Sequence, residues 1–202
     1  MGSGKSTGFE REGVSMSRKK ISLILMIISL LGLALAFLGT QQIYYSDGPW
    51  SGRIMDAETK RPIEGAVVVA MWDKIYPTIV ISYSSFFDAS ETLTDSTGNF
   101  VIPAFKAINF TPFTRIRRPT FEIFKPGYST AYTSDSPLTL VDHPTRAEMF
   151  KGGVVLELRK VKTREERLKN KPSWPVEAGP EKLPLFYALM DEESRNLGLP
   201  TK

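Results

Sequence analysis

SGRIMDAETKRPIEGAVVVAMW (residues 51–72), then ETLTDSTGNFVIPAF (91–105), then FEIFKPGYS (121–129), is the stretch that decides the fold. Arg53, Met55 and Ala57 alternate with Ile54 and Asp56, as in a strand with one face toward solvent. Asp56 to Pro62 is polar and ends in proline, which predicts a hairpin-type connection. Ala66 to Trp72 is a continuous apolar run rich in β-branched side chains, the pattern of a central strand covered on both faces. Thr92 and Thr94 lead into Asp95-Ser-Thr-Gly98, where glycine supplies positive φ and Asp95 bonds the backbone ahead. With Phe100, Val101 and Ile102 as the returning strand, this segment predicts a hairpin. Phe121, Ile123 and Lys125 alternate with Glu122 and Phe124 before the Pro126-Gly127-Tyr128 turn. Val154, Leu156 and Leu158 form the apolar face of a last strand whose other face is Val155, Glu157 and Arg159.

The pattern G-x-I-x-D-x-x-T-x-x-P-I-x-G-A-x-V, then T-D-x-x-G-x-F-x-I, then K-x-G-Y resembles the carboxypeptidase regulatory-like domain, a transthyretin-like β-sandwich. Its positions here are Gly52, Ile54, Asp56, Thr59, Pro62, Ile63, Gly65, Ala66 and Val68, then Thr94, Asp95, Gly98, Phe100 and Ile102, then Lys125, Gly127 and Tyr128. The resemblance covers residues 50 to 160 and implies an all-β sandwich of about seven strands acting as an accessory or binding module. The matched positions are structural, so no catalytic residue carries over. Two long insertions, 73–90 and 103–120, depart from the pattern.

Those insertions hold the candidate partner-binding residues Tyr76, Tyr83, Phe86, Phe87, Phe105, Phe110 and Phe113. Aromatic side chains give large contact area at low entropic cost, which suits a rim that takes a protein partner or stacks on a glycan. The competing reading is that the insertions add strands and bury their rings, because Ile79, Ile81 and Tyr83 alternate with Val80 and Ser82.

Upstream, Ile21 to Gly39 is nineteen apolar or small residues. As a helix it spans about 28 Å, close to the ~30 Å hydrocarbon core of a bilayer. Arg18, Lys19 and Lys20 precede it, and no Lys or Arg follows until Arg53, so the positive-inside rule places the later chain outside the cytoplasm. Ala34-Leu-Ala36 fits a signal-peptide cleavage site, whereas the apolar run continuing through Leu38 fits a retained signal anchor. The first reading gives a secreted protein and the second an inner-membrane protein with a periplasmic domain. Met16-Ser-Arg-Lys-Lys20 is itself a compact basic n-region, which makes Met16 an alternative start. Gly2-Ser-Gly-Lys-Ser-Thr7 has the composition of the end of a phosphate-binding loop but not the preceding strand and first glycine that such a loop needs.

The expected organisation is a cytosolic segment (1–20), the anchor or signal helix (21–39), a linker (40–49), the sandwich (50–162) and a helical tail (163–202). In the tail, Thr163 and Glu166 form a capping box for a short charged helix. A second helix over 181–197, with Pro184 near its start, carries Leu185, Phe186, Leu189, Met190 and Leu197 and ends at Gly198. Docking of that tail on its own sandwich is expected.

Chemistry-bearing constellations are sparse. Of 202 residues none is cysteine, which excludes disulfides, thiolate metal sites and lipoprotein acylation. The single histidine, His143, lies in Asp-His-Pro with Arg146 three residues on, so H-x-x-E is missing, and no nucleophile elbow is present. Net charge is +4, of which residues 1–36 supply +3, leaving a nearly neutral domain with no electrostatic case for nucleic acid. No cofactor, metal or catalytic residue is expected. The sequence therefore points to a non-catalytic interaction or accessory module of the bacterial cell envelope. The alternatives are a carbohydrate-binding module using the aromatic loops and an accessory domain of an envelope hydrolase.

Overall fold

The structure is a computed structural model describing residues 17–39, 42–77, 82–133, 153–172 and 178–201, with side chains at 34–39 and 132–133 outside the description. His143 and the alternating residues Ile79 to Ile81 also lie outside it. The chain divides into two units, residues 1–41 and 42–202.

In the first unit the apolar run is one helix, α1 (Arg18–Gly39, 22 residues). It presents Leu25, Ile28, Leu30 and Leu33 to its surroundings rather than burying one stripe. Among the described residues no helix is long and apolar enough to cross a membrane; the side-chain description of α1 stops at residue 33.

The second unit is mostly β. Its strands are β1 (Tyr44–Asp47), β2 (Trp50–Asp56), β3 (Val67–Tyr76), β4 (Tyr83–Leu93), β5 (Asn99–Ile102), β6 (Phe105–Ile108), β7 (Arg115–Ile116), β8 (Thr120–Phe124), β9 (Ala131–Thr133) and β10 (Val155–Leu158). Two helices follow, α2 (Arg164–Lys169) and α3 (Pro184–Asn196). One sheet has the order β10-β2-β5, a second β4-β3-β8-β9 with β7 beside β3, and β1 pairs β6 as a separate ribbon. All pairings are antiparallel except β10 with β2.

The two larger sheets face each other across one apolar core. Trp50, Ile54, Phe100, Ile102, Leu156 and Leu158 come from one side, and Val68, Ala70, Trp72, Phe121 and Ile123 from the other. β2 buries Gly52, Ile54 and Asp56 while Arg53 and Met55 are half-buried, which follows its alternation. Gly52 is required by packing, since a Cβ there would lie 2.6 Å from Val154 Cγ1 and 2.8 Å from the Phe100 ring. The run Val67 to Trp72 is buried on both faces, as its composition predicts. Its second face, with Val67, Val69 and Met71, packs with Ala89 and Phe124 against Leu183 and Phe186 of the tail. The tail thus docks on its own sheet. Thr163 and Glu166 make the expected capping box, and Gly198 takes φ +66 beyond α3.

Several sequence expectations need correction. The Asp95–Gly98 turn forms as expected, with Asp95 accepting from the Thr97 and Asn99 N–H groups and Gly98 at φ +78. It closes no hairpin, however, because β4 pairs β3 whereas β5 pairs β2. The Asp56–Pro62 segment does turn back as expected, with Met55 bridged antiparallel to Pro62 and the Asp56 N–H donating to the Arg61 carbonyl, before the chain crosses to the second sheet at β3. Turn residues specify a reversal; they do not say which edge the returning strand joins. Among the described residues there are ten strands rather than about seven, because β1 forms inside the segment expected to be linker and the insertions lengthen β3 and β4 and add β6 and β7. In α3 the buried side chains are Phe186, Glu193 and Ser194, while Leu185 is exposed. Glu193 is tolerated there because Arg167 donates to both its oxygens.

Candidate functional site

The seven candidate aromatics are not brought together as one surface. Phe105 turns inward, its ring stacked 4.3 Å from that of Trp72 and tilted 6.1 Å from that of Tyr45. Phe87 meets Phe105 in a T-shaped contact at 6.2 Å, and Lys74 Nζ lies over the Phe87 ring, 4.7 Å from its centroid. Phe86, its neighbour on β4, points to the opposite side of the sheet and packs under the tail helix. Those three serve packing. Tyr76 and Tyr83, directly opposite on β3 and β4, stack face to face at 4.7 Å. Tyr83 remains 55% exposed, but each ring covers a face of the other, so the pair is not a side-by-side stacking platform.

Phe110 and Phe113 are different: they are 83% and 61% exposed on the loop between β6 and β7. That loop is built to hold them there. Asn109, buried at its base, donates from Nδ2 to the Thr114 carbonyl (3.0 Å) and accepts through Oδ1 from the Thr111 N–H. Thr114, also buried, donates its hydroxyl to the Thr111 carbonyl at 2.8 Å. Lys74 reaches from β3 to donate to Thr111 Oγ1. Phe113 sits at φ +61, a left-handed conformation that costs a bulky L-residue about 1–2 kcal/mol. The Phe113 ring thus stays more than half exposed at a backbone cost.

Tyr44 and Ile108, which sequence reading did not single out, extend this apolar end. They are opposite one another on the outward face of the β1–β6 ribbon and each is 59% exposed. On the inward face Tyr45, Ala107 and Phe105 join the core. The Tyr45 hydroxyl donates to Asp47 at 2.7 Å, and burial together with that carboxylate pushes its pKa up. The signal for the outward face was present only as a Tyr-Tyr and Ala-Ile alternation too short to read as strands.

Where the chain enters this unit is fixed at the same place. Gln42 Oε1 accepts from the Ile116 N–H at 2.6 Å, and the Ile43 carbonyl accepts from the Asn109 N–H at 2.8 Å. Both ends of the Phe110–Phe113 loop are therefore bonded to the first two residues after 41.

The ionisable groups elsewhere stabilise turns. Asp56 accepts from the Glu58 and Thr59 N–H groups and from the Tyr128 hydroxyl. The Thr59 backbone bond is the main reason its pKa falls to about 2. A hydrogen bond from the Thr97 hydroxyl lowers Asp95, and the Thr163 backbone lowers Glu166. Glu122 is the exception. It is 3% exposed on β8, its Oε2 has no hydrogen-bond partner among the described residues, and burial raises its pKa to about 8. No group of three or more His, Cys, Asp or Glu among the described residues has the arrangement of a metal site.

No family model matches the chain. No curated protein matches it, and no solved structure matches it.

Proposed function

We infer that this chain is a membrane-tethered, non-catalytic interaction or accessory module of the bacterial cell envelope, carried on a transthyretin-like β-sandwich outside the cytoplasm. The observation that carries the reading is the coincidence of three features at one end of the β unit. These are the exposed rings of Phe110 and Phe113, the exposed Tyr44–Ile108 pair, and the bonds from Gln42 and Ile43 that mark where the chain arrives from the apolar helix. The nineteen-residue apolar run Ile21–Gly39 and the basic residues before it support a retained anchor with the β unit on the far side. The resemblance to the carboxypeptidase regulatory-like domain supports a scaffold role, and the carboxylates Asp56, Asp95 and Glu166 are engaged in turns and a helix cap.

Crosslinking in intact membranes followed by purification of the full chain tests the interaction role. Recovery of one defined envelope partner in stoichiometric yield is expected. Retention on envelope glycan with no protein partner would replace this reading with the carbohydrate-binding one.

A further inference from the structure

Resting on the anchored reading, we propose that the Phe110–Phe113 loop and the outward Tyr44–Ile108 face form a footing that inserts into the surface of the bilayer holding α1, selecting anionic headgroups through adjacent basic residues. The first argument is connectivity. Gln42 bonds to Ile116 after the loop and Ile43 bonds to Asn109 before it. Only residues 40 and 41 separate that clamp from the last residue of α1. Gly39 and Gln42 are three Cα–Cα steps apart, a reach of at most ~11 Å, so an anchor that leaves a bilayer at Gly39 keeps the entry point of the β unit within that tether.

The second argument is chemistry. Phenylalanine at a loop tip, tyrosine beside it and basic side chains around it are the composition of a membrane interface, where rings enter the acyl boundary and cations meet phosphate. The strands that carry the rim supply those cations. Lys106 shares the outward face of β6 with Ile108, Arg115 begins β7 one residue after Thr114, and exposed Arg118 follows. Arg117 is paired with Asp73 and is not counted. The acidic residue on the ribbon, Asp47, accepts from Tyr45 and from the Gly48 N–H.

The third argument is rigidity. A loop that folds around a partner needs no buried latch, whereas Asn109, Thr114 and Lys74 fix this one with its rings outward. A preformed apolar tip suits a fluid surface that adapts to it.

The chain has no cysteine, so single thiols can be placed at will. Pro112→Cys puts a fluorophore on the loop without touching the latch, and Ser96→Cys puts one on the turn at the other end of β3, whose ten residues span about 30 Å. The full chain is reconstituted in phosphatidylethanolamine–phosphatidylglycerol vesicles. A spin-labelled lipid should quench the loop fluorophore several-fold more than the turn fluorophore, with aqueous iodide giving the reverse order. Adding Phe110→Ser and Phe113→Ser, with the circular dichroism spectrum unchanged, should abolish the lipid quenching. Equal iodide access at both positions in vesicles that retain the chain through an alkaline wash would overturn the footing and leave the anchor standing. Shielding of the loop from both quenchers would assign it to a protein contact and also overturn the proposal. Loss of the chain in the wash would be the separate failure of the anchored reading and would take the footing with it.

Discussion

The side-chain oxygen of Gln42 accepts a hydrogen bond from the Ile116 N–H at 2.6 Å, fastening the first residue of the β unit to the strand that leaves the exposed phenylalanine loop. Ile116 is buried, so its amide has little access to water once Gln42 is shortened. A buried donor left without a partner costs about 1–3 kcal/mol. Gln42→Ala is expected to lower stability by about 1 kcal/mol and to speed hydrogen exchange at Ile116 selectively. Asn109→Ala removes the latch at the other end and should cost about 2 kcal/mol, with exchange rising from Thr111 to Thr114 while β3 and β8 stay protected. Uniform protection in either variant would mean that the loop is held by other contacts.

Glu122 gives the fold a pH dependence of unusual sign. Its folded pKa is raised to about 8 by burial, above the ordinary glutamate value it regains on unfolding. Between those values the folded state binds the extra proton, so the Glu122 contribution to stability declines as pH rises from about 4.5 to about 8, by at most ~1.4 kcal/mol per pH unit. Glu122→Gln should flatten that slope and raise stability at pH 8 by on the order of 2–3 kcal/mol. Thermal unfolding of both proteins from pH 5 to pH 9 checks it; parallel curves would show that Glu122 is ionised in the folded state.

Glu91 on β4 receives the Leu185 N–H at 2.7 Å and the Phe186 N–H at 2.9 Å, capping α3 across about ninety-five residues of sequence. A carboxylate at a helix N-terminus satisfies otherwise orphaned donors and meets the positive end of the dipole. Glu91→Ala should cost about 1 kcal/mol and raise exchange in the first turn of α3 before it disturbs the sheet. Full retention of protection there would show that Phe186, buried against Phe124, suffices to hold the helix.

Much of the scaffold is legible in local pattern because local physics determines it. The both-faced burial of Val67 to Trp72, the inward Val154, Leu156 and Leu158, and the Thr163–Glu166 cap all follow from composition and spacing over a few residues. What is not legible is long-range. The Asp95–Gly98 turn looks the same whether it closes a hairpin or passes the chain between sheets, and that choice rests on β2 accepting β5. The candidate site shows the same division. Phe86 and Phe87 are adjacent in sequence and leave β4 toward opposite cores. Phe110 and Phe113 resemble them in composition, yet a latch made by Asn109 and Thr114 turns them to solvent. Tyr44 and Ile108 matter only because register sets them opposite each other.

Thiol accessibility tests the proposed topology, in which Ile21–Gly39 anchors the chain with the β unit on the outer side of the membrane. In a cysteine-free chain, Ser96→Cys reports the β unit and Ser17→Cys reports the segment before α1. In intact cells stripped of their outer layers, an impermeant maleimide is expected to modify Ser96→Cys at once and Ser17→Cys only after lysis, with both variants retained in the membrane pellet at full length. Protection of Ser96→Cys until lysis, or recovery of both variants in the soluble fraction, would rule out the proposed topology.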